Sequence, residues 1–498
     1  MSFPRPAVSP SDRRLTLVVP PVTAEDRYGP MASAGNSLPP HAFLYLGAVA
    51  RQAGWSVEIV DGPAYGFGIE GCAQRVLETR PSVVGFTTTT MSIAKAARVA
   101  EVLRAQSPDT MIMVGGPHIT ALPVETMERL PVFDLGCVGE GEAALLETLR
   151  CLECAEDPRS TPGLVCRKDD GLVVSNPPAE SEVDLAELPP LAWDLLDDFP
   201  NRYHAAATYL NKTPFSDIIV SRGCRYRCTF CDNQTFGRSI RALPVEKILE
   251  NIDRLVQEYG IKSMFFTDDS LMTLRSEFEK VCEGLIERNY DLEWSINART
   301  SEIDEEILAL MKRAGCWQIS YGVESGSWEI LKRIKKAATP QMQARALRLT
   351  AAAGIKSNAY IIIGFPGETS ETLRETEEFL KSVPIDTLRL TYFTPFPNTD
   401  ITGDLALDGG EVVADWTQLN FYNIAYIPKG LTRKDLERAY RRIMLRFYTR
   451  PRVLTSFLPH LLIPRKAAAL FRGTFGLSKL LIQGPGTPKK AVTGECHS

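Results

Sequence analysis

The chain has 498 residues, too many for one ordinary core; at about one domain per 150 residues, two to four domains are expected. Its 44% hydrophobic and 23% charged residues suit a soluble globular protein, and a net charge of -5 argues against a general nucleic-acid binder. The N-terminus lacks a signal-peptide core and nothing reaches the ~20 apolar residues of a membrane span, so a cytoplasmic location with reduced, buried or metal-bound cysteines is expected.

Residues 14–150 alternate strand and helix. "LTLVVPPV", "SVEIVDG", "VVGFTTTTM", "TMIMVGGPHIT" and "FDLGCVGEGE" read as five buried strands, with amphipathic stretches such as "SIAKAARVAEVLRAQ" between them. This predicts a doubly wound, flavodoxin-like parallel sheet. Residues 151–215, rich in proline and acid, read as a connector too polar for a core and too stiff for a tether. Within it, Cys151 and Cys154 form a lone C-x2-C that reads as helix-end packing.

From 216 to 400 the alternation resumes. "SDIIVSR", "SMFFTDDS", "LEWSINAR", "WQISYGVES", "NAYIIIGFP" and "TLRLTYFTPFP" predict six β/α units, a partial (β/α)6 barrel. A helical region is expected over 401–482 and a disordered tail over 483–498. Between Leu431 and Ile482 stand twelve Lys/Arg against two Asp/Glu. "LERAYRRIMLRFYTR" reads first as a helical cap on the barrel, and second as a weak contact for an anionic membrane surface or an anionic substrate.

After the first barrel strand, "SRGCRYRCTFCDN" places Cys224, Cys228 and Cys231 at C-x3-C-x2-C. Three thiolates on one tight loop can hold three corners of a [4Fe–4S] cubane, leaving one iron open to a substrate. Arg222, Arg225 and Arg227 would set positive charge beside the anionic cluster. The competing readings are a zinc site lacking its fourth ligand and an electron-transfer cluster closed by a remote cysteine. The C-terminal mouth of a barrel, where barrel chemistry sits, weighs against both.

This motif, with Phe230 before its last cysteine, resembles the radical S-adenosylmethionine (SAM) enzymes. The resemblance implies that the open iron chelates SAM and that a deoxyadenosyl radical then abstracts hydrogen from substrate. By the same resemblance, Asp268 or Asp269 of "FTDDS" would accept from the SAM amino group, although the family's form here is glycine-rich and a helix cap is the plain alternative. Arg299 of "SINAR" would pair the SAM carboxylate. Glu324 of "YGVESGS" would hold ribose hydroxyls or the amine, a core salt bridge being the alternative. Gly364 and Gly367 of "YIIIGFPGET" would let backbone approach the adenine, unless they only form a tight turn.

In the first domain, Thr87–Ser92 (with Thr88 and Thr89) and Val114–Thr120 (with Gly115 and Gly116) end the third and fourth strands in small residues. Together with "GEGEAAL" and the connector's "LPPLAWDLLD", they resemble the cobalamin-binding domain preceding the barrel in one radical SAM subclass. The D-x-H-x-x-G of cobalt-ligating domains is absent. His118, in the glycine loop, therefore reads as a loop or core histidine rather than the cobalt ligand. No G-x-G-x-x-G follows the first strand, which argues against a dinucleotide fold.

The resemblance implies a methyltransferase that carries a methyl group from SAM through methylcobalamin to an unactivated carbon, or to phosphorus, of a small molecule. Cyclase or ring-contracting chemistry of the chlorophyll and hopanoid type is the alternative. It further implies an electron donor such as flavodoxin or ferredoxin.

Overall fold

The computed structural model describes residues 7–178, 182–206, 209, 211–413, 415–455, 471 and 478. Strands β1 (Arg14–Val19), β2 (Ser56–Asp61), β3 (Val83–Thr87), β4 (Met111–Gly115) and β5 (Leu135–Cys137) pair in parallel in the order β2-β1-β3-β4-β5. This is the flavodoxin-like order the alternation predicts, with its switch point between β1 and β3. The strands are nearly continuous apolar runs because helices cover both faces.

The connector differs from expectation. Strands β6 (Leu164–Arg167) and β7 (Val173–Ser175) add to the first sheet antiparallel. Farther on, Leu185, Leu188, Leu191, Trp193 and Leu196 are buried. The Trp193 ring stacks on Phe199 at 4.9 Å and meets His41 edge-on at 5.6 Å. Lys247 donates to the Leu188 carbonyl at 3.1 Å and Arg254 to that of Leu191 at 2.9 Å. The acidic and proline residues make this segment look exposed, but its leucines and tryptophan fill the seam between the two α/β units. One hydrophobic core therefore runs through both, from Leu17 and Tyr45 to Ile218 and Val220.

Strand β8 (Phe215–Ile218) opens the second sheet. The short β9 (Ser221–Arg222) and β10 (Arg241–Ala242) pair antiparallel with each other. They are followed by β11 (Ser263–Phe266), β12 (Glu293–Ala298), β13 (Cys316–Glu324), β14 (Lys356–Ile363) and β15 (Thr387–Tyr392). The order β15-β14-β13-β12-β11-β8, all parallel, is a six-stranded partial barrel. On β15, Tyr392 stacks on Tyr440 at 5.1 Å, so Leu388, Leu390 and Tyr392 face the outer helix. Strand alternation then turns Thr387, Arg389 and Thr391 into the lumen.

Beyond the barrel, residues 401–432 carry only short helical turns, Thr402–Asp404, Leu405–Asp408 and Trp416–Gln418, with the small ladder of β16 (Glu411–Val412) and β17 (Tyr426–Ile427), rather than long helices. The basic helix Arg433–Tyr448 begins at a capping box of Thr432 and Asp435. It buries Leu436, Ala439, Tyr440, Ile443, Met444 and Phe447, one stripe at helical spacing. Arg442 and Arg446 both pair with the buried Glu377, Arg442 at 2.7 Å. This is the cap reading. The second basic stretch and the tail from 483 lie outside the described residues.

Candidate active site at the domain junction

The cysteine loop leaves the barrel between β9 and β10, whose pairing cinches its base. At its start Gly223 has φ +87° and runs so close to the returning Ser239 carbonyl that any Cβ would collide with it. Cys231 N–H donates to the Cys228 carbonyl at 3.2 Å, closing the turn that carries both thiols. Phe230 packs edge-on against Phe365 at 5.4 Å and fixes the loop to the end of β14. Cys228 is buried, Cys224 is partly exposed and Cys231 opens outward. Atoms packed around the Cys231 sulfur, and then the negative charges of Cys228, Asp269 and Cys224, push its thiol up to about 12.

Positive charge reaches the thiols from an unexpected side. Arg225 and Arg227 are exposed, and Arg222 turns away toward the first domain. Arg299 instead donates to Cys228 Sγ at 3.4 Å and to the Lys336 carbonyl, with its guanidinium stacked on Tyr226 at 3.7 Å. The sequence reading gave Arg299 to a ligand carboxylate, whereas the structure binds it to the cysteine loop.

The two aspartates after β11 also part company. Asp268 is buried, and its Oδ1 accepts from Val220 N–H (2.9 Å), Ser221 N–H (2.5 Å) and Ser221 Oγ (2.6 Å). It pins the corner between β8 and β9, and burial pushes its carboxyl up to about 6. Asp269 lies open on the junction cavity, facing Cys231 and Asp232; burial and then the Asp232 charge raise its carboxyl. Glu324 accepts from Lys336 Nζ at 2.7 Å in a buried pair, the plainer of its two readings. Gly364 and Gly367 have φ of +88° and +79°, and Glu368 accepts from the Gly364 N–H at 2.5 Å and the Phe365 N–H at 3.3 Å. These glycines serve a tight turn, and Gly364 faces Leu436 of the cap helix.

Across the junction, a cavity of ≈ 380 Å³ separates the two units. Its wall on the first domain combines Gly85, Gly115, Gly116, Gly139 and Gly141, in or just after the strands, with apolar side chains such as Leu17, Phe43, Leu46 and Met113. Gly116 has φ +98°, and a Cβ there would stand 2.7 Å from the Thr88 carbonyl oxygen. Thr88 is buried, and its Oγ1 donates to the Gly115 carbonyl at 3.0 Å, so it ties the two loops together behind the wall. Thr89 N–H donates to Ser92 Oγ at 2.8 Å. Neither threonine lines the cavity, and nor does His118. His118 is fully buried, edge-on to Trp416 at 4.5 Å, and burial lowers its pKa to about 4. It is a core histidine. His41, which no sequence signal singled out, does line the cavity, with Nε2 3.1 Å from Asp217 Oδ1 of β8.

A buried ion cluster closes one side. Arg222 reaches Glu140 at 3.1 Å and Glu142 at 2.5 Å, between the rings of Tyr45 and Phe236, and Arg241 joins through Glu140. These carboxylates belong to "GEGEAAL" of the first domain, the arginines to β9 and β10.

Comparison with known families matches residues 29–149 to a B12 binding domain and 218–380 to the radical SAM superfamily, together more than half of the chain. The chain belongs to the cobalamin-binding radical SAM enzymes. An uncharacterized methyltransferase of Pyrococcus horikoshii is 29% identical, over 89% of this chain and 94% of its own length. The anaerobic magnesium-protoporphyrin IX monomethyl ester cyclase of Rubrivivax gelatinosus is 28% identical, over 81% and 72%. The solved structure of the cobalamin-dependent SAM radical enzyme OxsB superposes with a TM-score of 0.72 at 20% identity, over 94% of this chain and 75% of that one.

The cofactors of this radical SAM enzyme are therefore a [4Fe–4S] cluster, SAM and cobalamin, and the residues present fit them. Among the described residues no three ligating side chains converge on one point as a lone ion requires. A cubane instead takes thiolates at separate corners. Cys224, Cys228 and Cys231 on one short loop offer three such corners. On the facing wall the backbone at Gly115 and Gly116 and the apolar side chains beside them suit the face of a flat macrocycle.

Three outcomes follow from this geometry. Gly116→Val should cost about 1–3 kcal/mol through strain and collision with Thr88, and should empty the cobalamin site while the cluster's absorbance persists. Arg222→Met should destabilise the protein by about 3–5 kcal/mol in denaturant by stranding Glu142; adding Glu142→Leu should recover much of this. Burial pushes Glu368 up to about 7 from its ordinary 4.5. Its contribution to stability is thus complete below pH 4.5 and is lost as pH rises through 7. Glu368→Gln should remove that decline from a plot of melting temperature against pH.

Proposed function

We propose that this enzyme transfers a methyl group from SAM to a carbon or phosphorus atom of a small molecule held between its two cofactors. The observation that carries the reading is the single cavity bounded on one side by the glycine wall of the first sheet and on the other by Asp232, Phe236 and Asp269 of the barrel mouth. When bound, the cluster and SAM supply hydrogen-atom abstraction, and cobalamin supplies carriage of the methyl group.

The chain's own residues position and shield. Cys224, Cys228 and Cys231 would hold the cluster, and Arg299 would steady Cys228 by its hydrogen bond. Asp269, the aspartate open to the cavity, would accept from the SAM ammonium, while Asp268 holds the backbone corner beneath. Gly115 and Gly116 would lie against the corrinoid, with Thr88 locking their loop. Apolar side chains including Phe43, Leu46 and Met113 exclude water from the remaining wall. Arg225 and Arg227, exposed over the cysteines, would receive an acidic electron donor such as flavodoxin or ferredoxin. A cytoplasmic, reducing setting suits the free cysteines, which form no disulfide among the described residues. No described helix is long and apolar enough to cross a membrane. A weak membrane contact would rest on the basic C-terminal helices, of which Arg433–Tyr448 is described and the basic residues after 455 lie outside the described residues.

A cyclase is the second reading, favoured by the nearly equal identity of the cyclase and methyltransferase relatives. Label separates the two: with SAM carrying a deuterated methyl group, methyl transfer puts deuterium in the product and ring closure does not. Anaerobically reconstituted, reduced protein should release 5′-deoxyadenosine and S-adenosylhomocysteine from SAM. Cys228→Ala should abolish the deoxyadenosine and keep bound cobalamin; retained cleavage in that variant would overturn the ligand assignment.

A further inference from the structure

The barrel lumen is polar and partly open. Outward-facing residues of β12, β14 and β15 are buried, whereas lumen-facing Asn297, Tyr360, Ile362 and Arg389 keep partial exposure. Most of the lumen's polar groups satisfy one another. Tyr209, from the connector, stacks on Phe265 at 4.7 Å and bonds the Tyr360 hydroxyl. It also accepts from Asn358 Nδ2 at 3.0 Å and from Ser320 Oγ at 3.3 Å. Tyr360 reaches Asn297 Oδ1 at 3.3 Å, and Thr387 reaches Asn358 Oδ1 at 3.0 Å.

Arg389 is the exception. Its guanidinium lies 5.8 Å from the centroid of the Tyr360 ring, among the phenols of Tyr422, Tyr209, Tyr360 and Tyr28. Tyr28, at the end of the short helix Ala24–Tyr28 after β1, and Tyr422, from the C-terminal region, meet edge-on at 6.3 Å, so this end of the lumen faces the first domain. Among the described residues no carboxylate pairs with Arg389. The buried Arg222 and Arg159 have two apiece, Glu140 with Glu142 and Asp157 with Asp169. A guanidinium does not shed its proton, and a partly desolvated one facing only neutral hydroxyls and rings is electrostatically incomplete. Its planar fork matches a carboxylate or a phosphate.

We propose that Arg389 is the receptor for an anionic group, carboxylate or phosphate, of the substrate that enters the lumen, with Tyr360 and Tyr422 flanking it. This rests on the reading of the enzyme as acting on a small molecule between its cofactors, and it narrows that molecule to an anion. The anion would be anchored on β15, the edge strand of the barrel, and the remainder of the molecule would extend toward the junction cavity.

The test titrates inorganic phosphate and succinate into the holoenzyme by calorimetry. At least one should saturate, with affinity about tenfold weaker in Arg389→Gln and partly restored in Arg389→Lys, which keeps the charge and loses the fork. Melting temperature and cobalamin absorbance confirm that both variants fold. Phosphate alone, or succinate alone, saturating the wild type would assign the anion class. The proposal is overturned if neither anion saturates the wild type, or if Arg389→Gln binds as the wild type does. It is equally overturned if the Gln variant loses affinity for SAM or cobalamin by the same factor, since the anion would then belong to a cofactor. Failure of the methyl-transfer reading would show separately, as wild-type protein that turns SAM over without passing its deuterated methyl group to product, while anion binding at Arg389 stands.

Discussion

The contact on which the architecture depends is the buried cluster of Arg222, Arg241, Glu140 and Glu142. Each unit taken alone presents a like-charged pair, two arginines on the base of the cysteine loop and two glutamates at the rim of the first sheet. Docking brings the two pairs together, with Glu182 of the connector as a further partner of Arg241 at 3.0 Å. A buried pair of this kind adds little net stability over an apolar substitute, but losing one partner costs about 3–5 kcal/mol. The gain is therefore in register. Arg222 stands two residues before Cys224, and Glu140 lies between two glycines of the cavity wall, so the pairing sets how far the thiols stand from the glycine face. For chemistry between two cofactors that distance matters most, since effective concentration falls steeply with misplacement.

The rest of the site answers the problem of holding several anionic groups together. Three thiols and Asp232 share one loop and Asp269 faces them from the end of β11; burial first, and the neighbouring negative charges after it, raise Cys231 and Asp269. The compensating charge does not come from the loop, whose free arginines point to solvent. It comes from Arg299 at the end of β12, held by Tyr226 and the Lys336 carbonyl. A cation on a barrel strand is a firmer partner than one on the loop, because the strand end is fixed by the sheet on both sides. Asp268 does the complementary work beneath, trading a desolvated carboxylate for three donors at the corner where the chain leaves β8.

What was legible in the sequence was whatever is local. Each of the six barrel strands is a short β-branched or aromatic run, and the cysteine spacing lies on one turn, so both could be read directly. Glu140 and Glu142 could not be matched with Arg222, 82 and 80 residues away, because hydropathy and spacing do not tell which charges meet across a seam. The same limit hid the contact of Arg299 with Cys228, left Glu324 open between a ligand and the salt bridge it makes with Lys336, and gave no signal for His41. The connector misled differently. Its prolines and acids dominate its composition, yet folding is decided by Trp193 and the leucines between them. His118 lies buried against Trp416 and off the cavity wall, and the missing D-x-H-x-x-G pattern that sets it apart from a cobalt ligand is itself a local fact.

The C-terminal region also returns to the first domain. Trp416 packs on His118, with Arg129 over its ring at 4.7 Å, and Asn420 Nδ2 donates to the Asp26 carbonyl at 3.1 Å. The segment leaving the barrel thus returns to touch the first domain, and Tyr422 within it faces Tyr28 above Arg389. Its contacts are aromatic edges and single hydrogen bonds, whereas the connector side is held by a buried tryptophan and an ion cluster. Single contacts of this kind are broken at lower cost than a buried ring and a charge cluster. Tyr28 and Tyr422 of this brace meet the connector's Tyr209 around Arg389, so the polar end of the barrel lumen is closed by side chains from three separate parts of the chain.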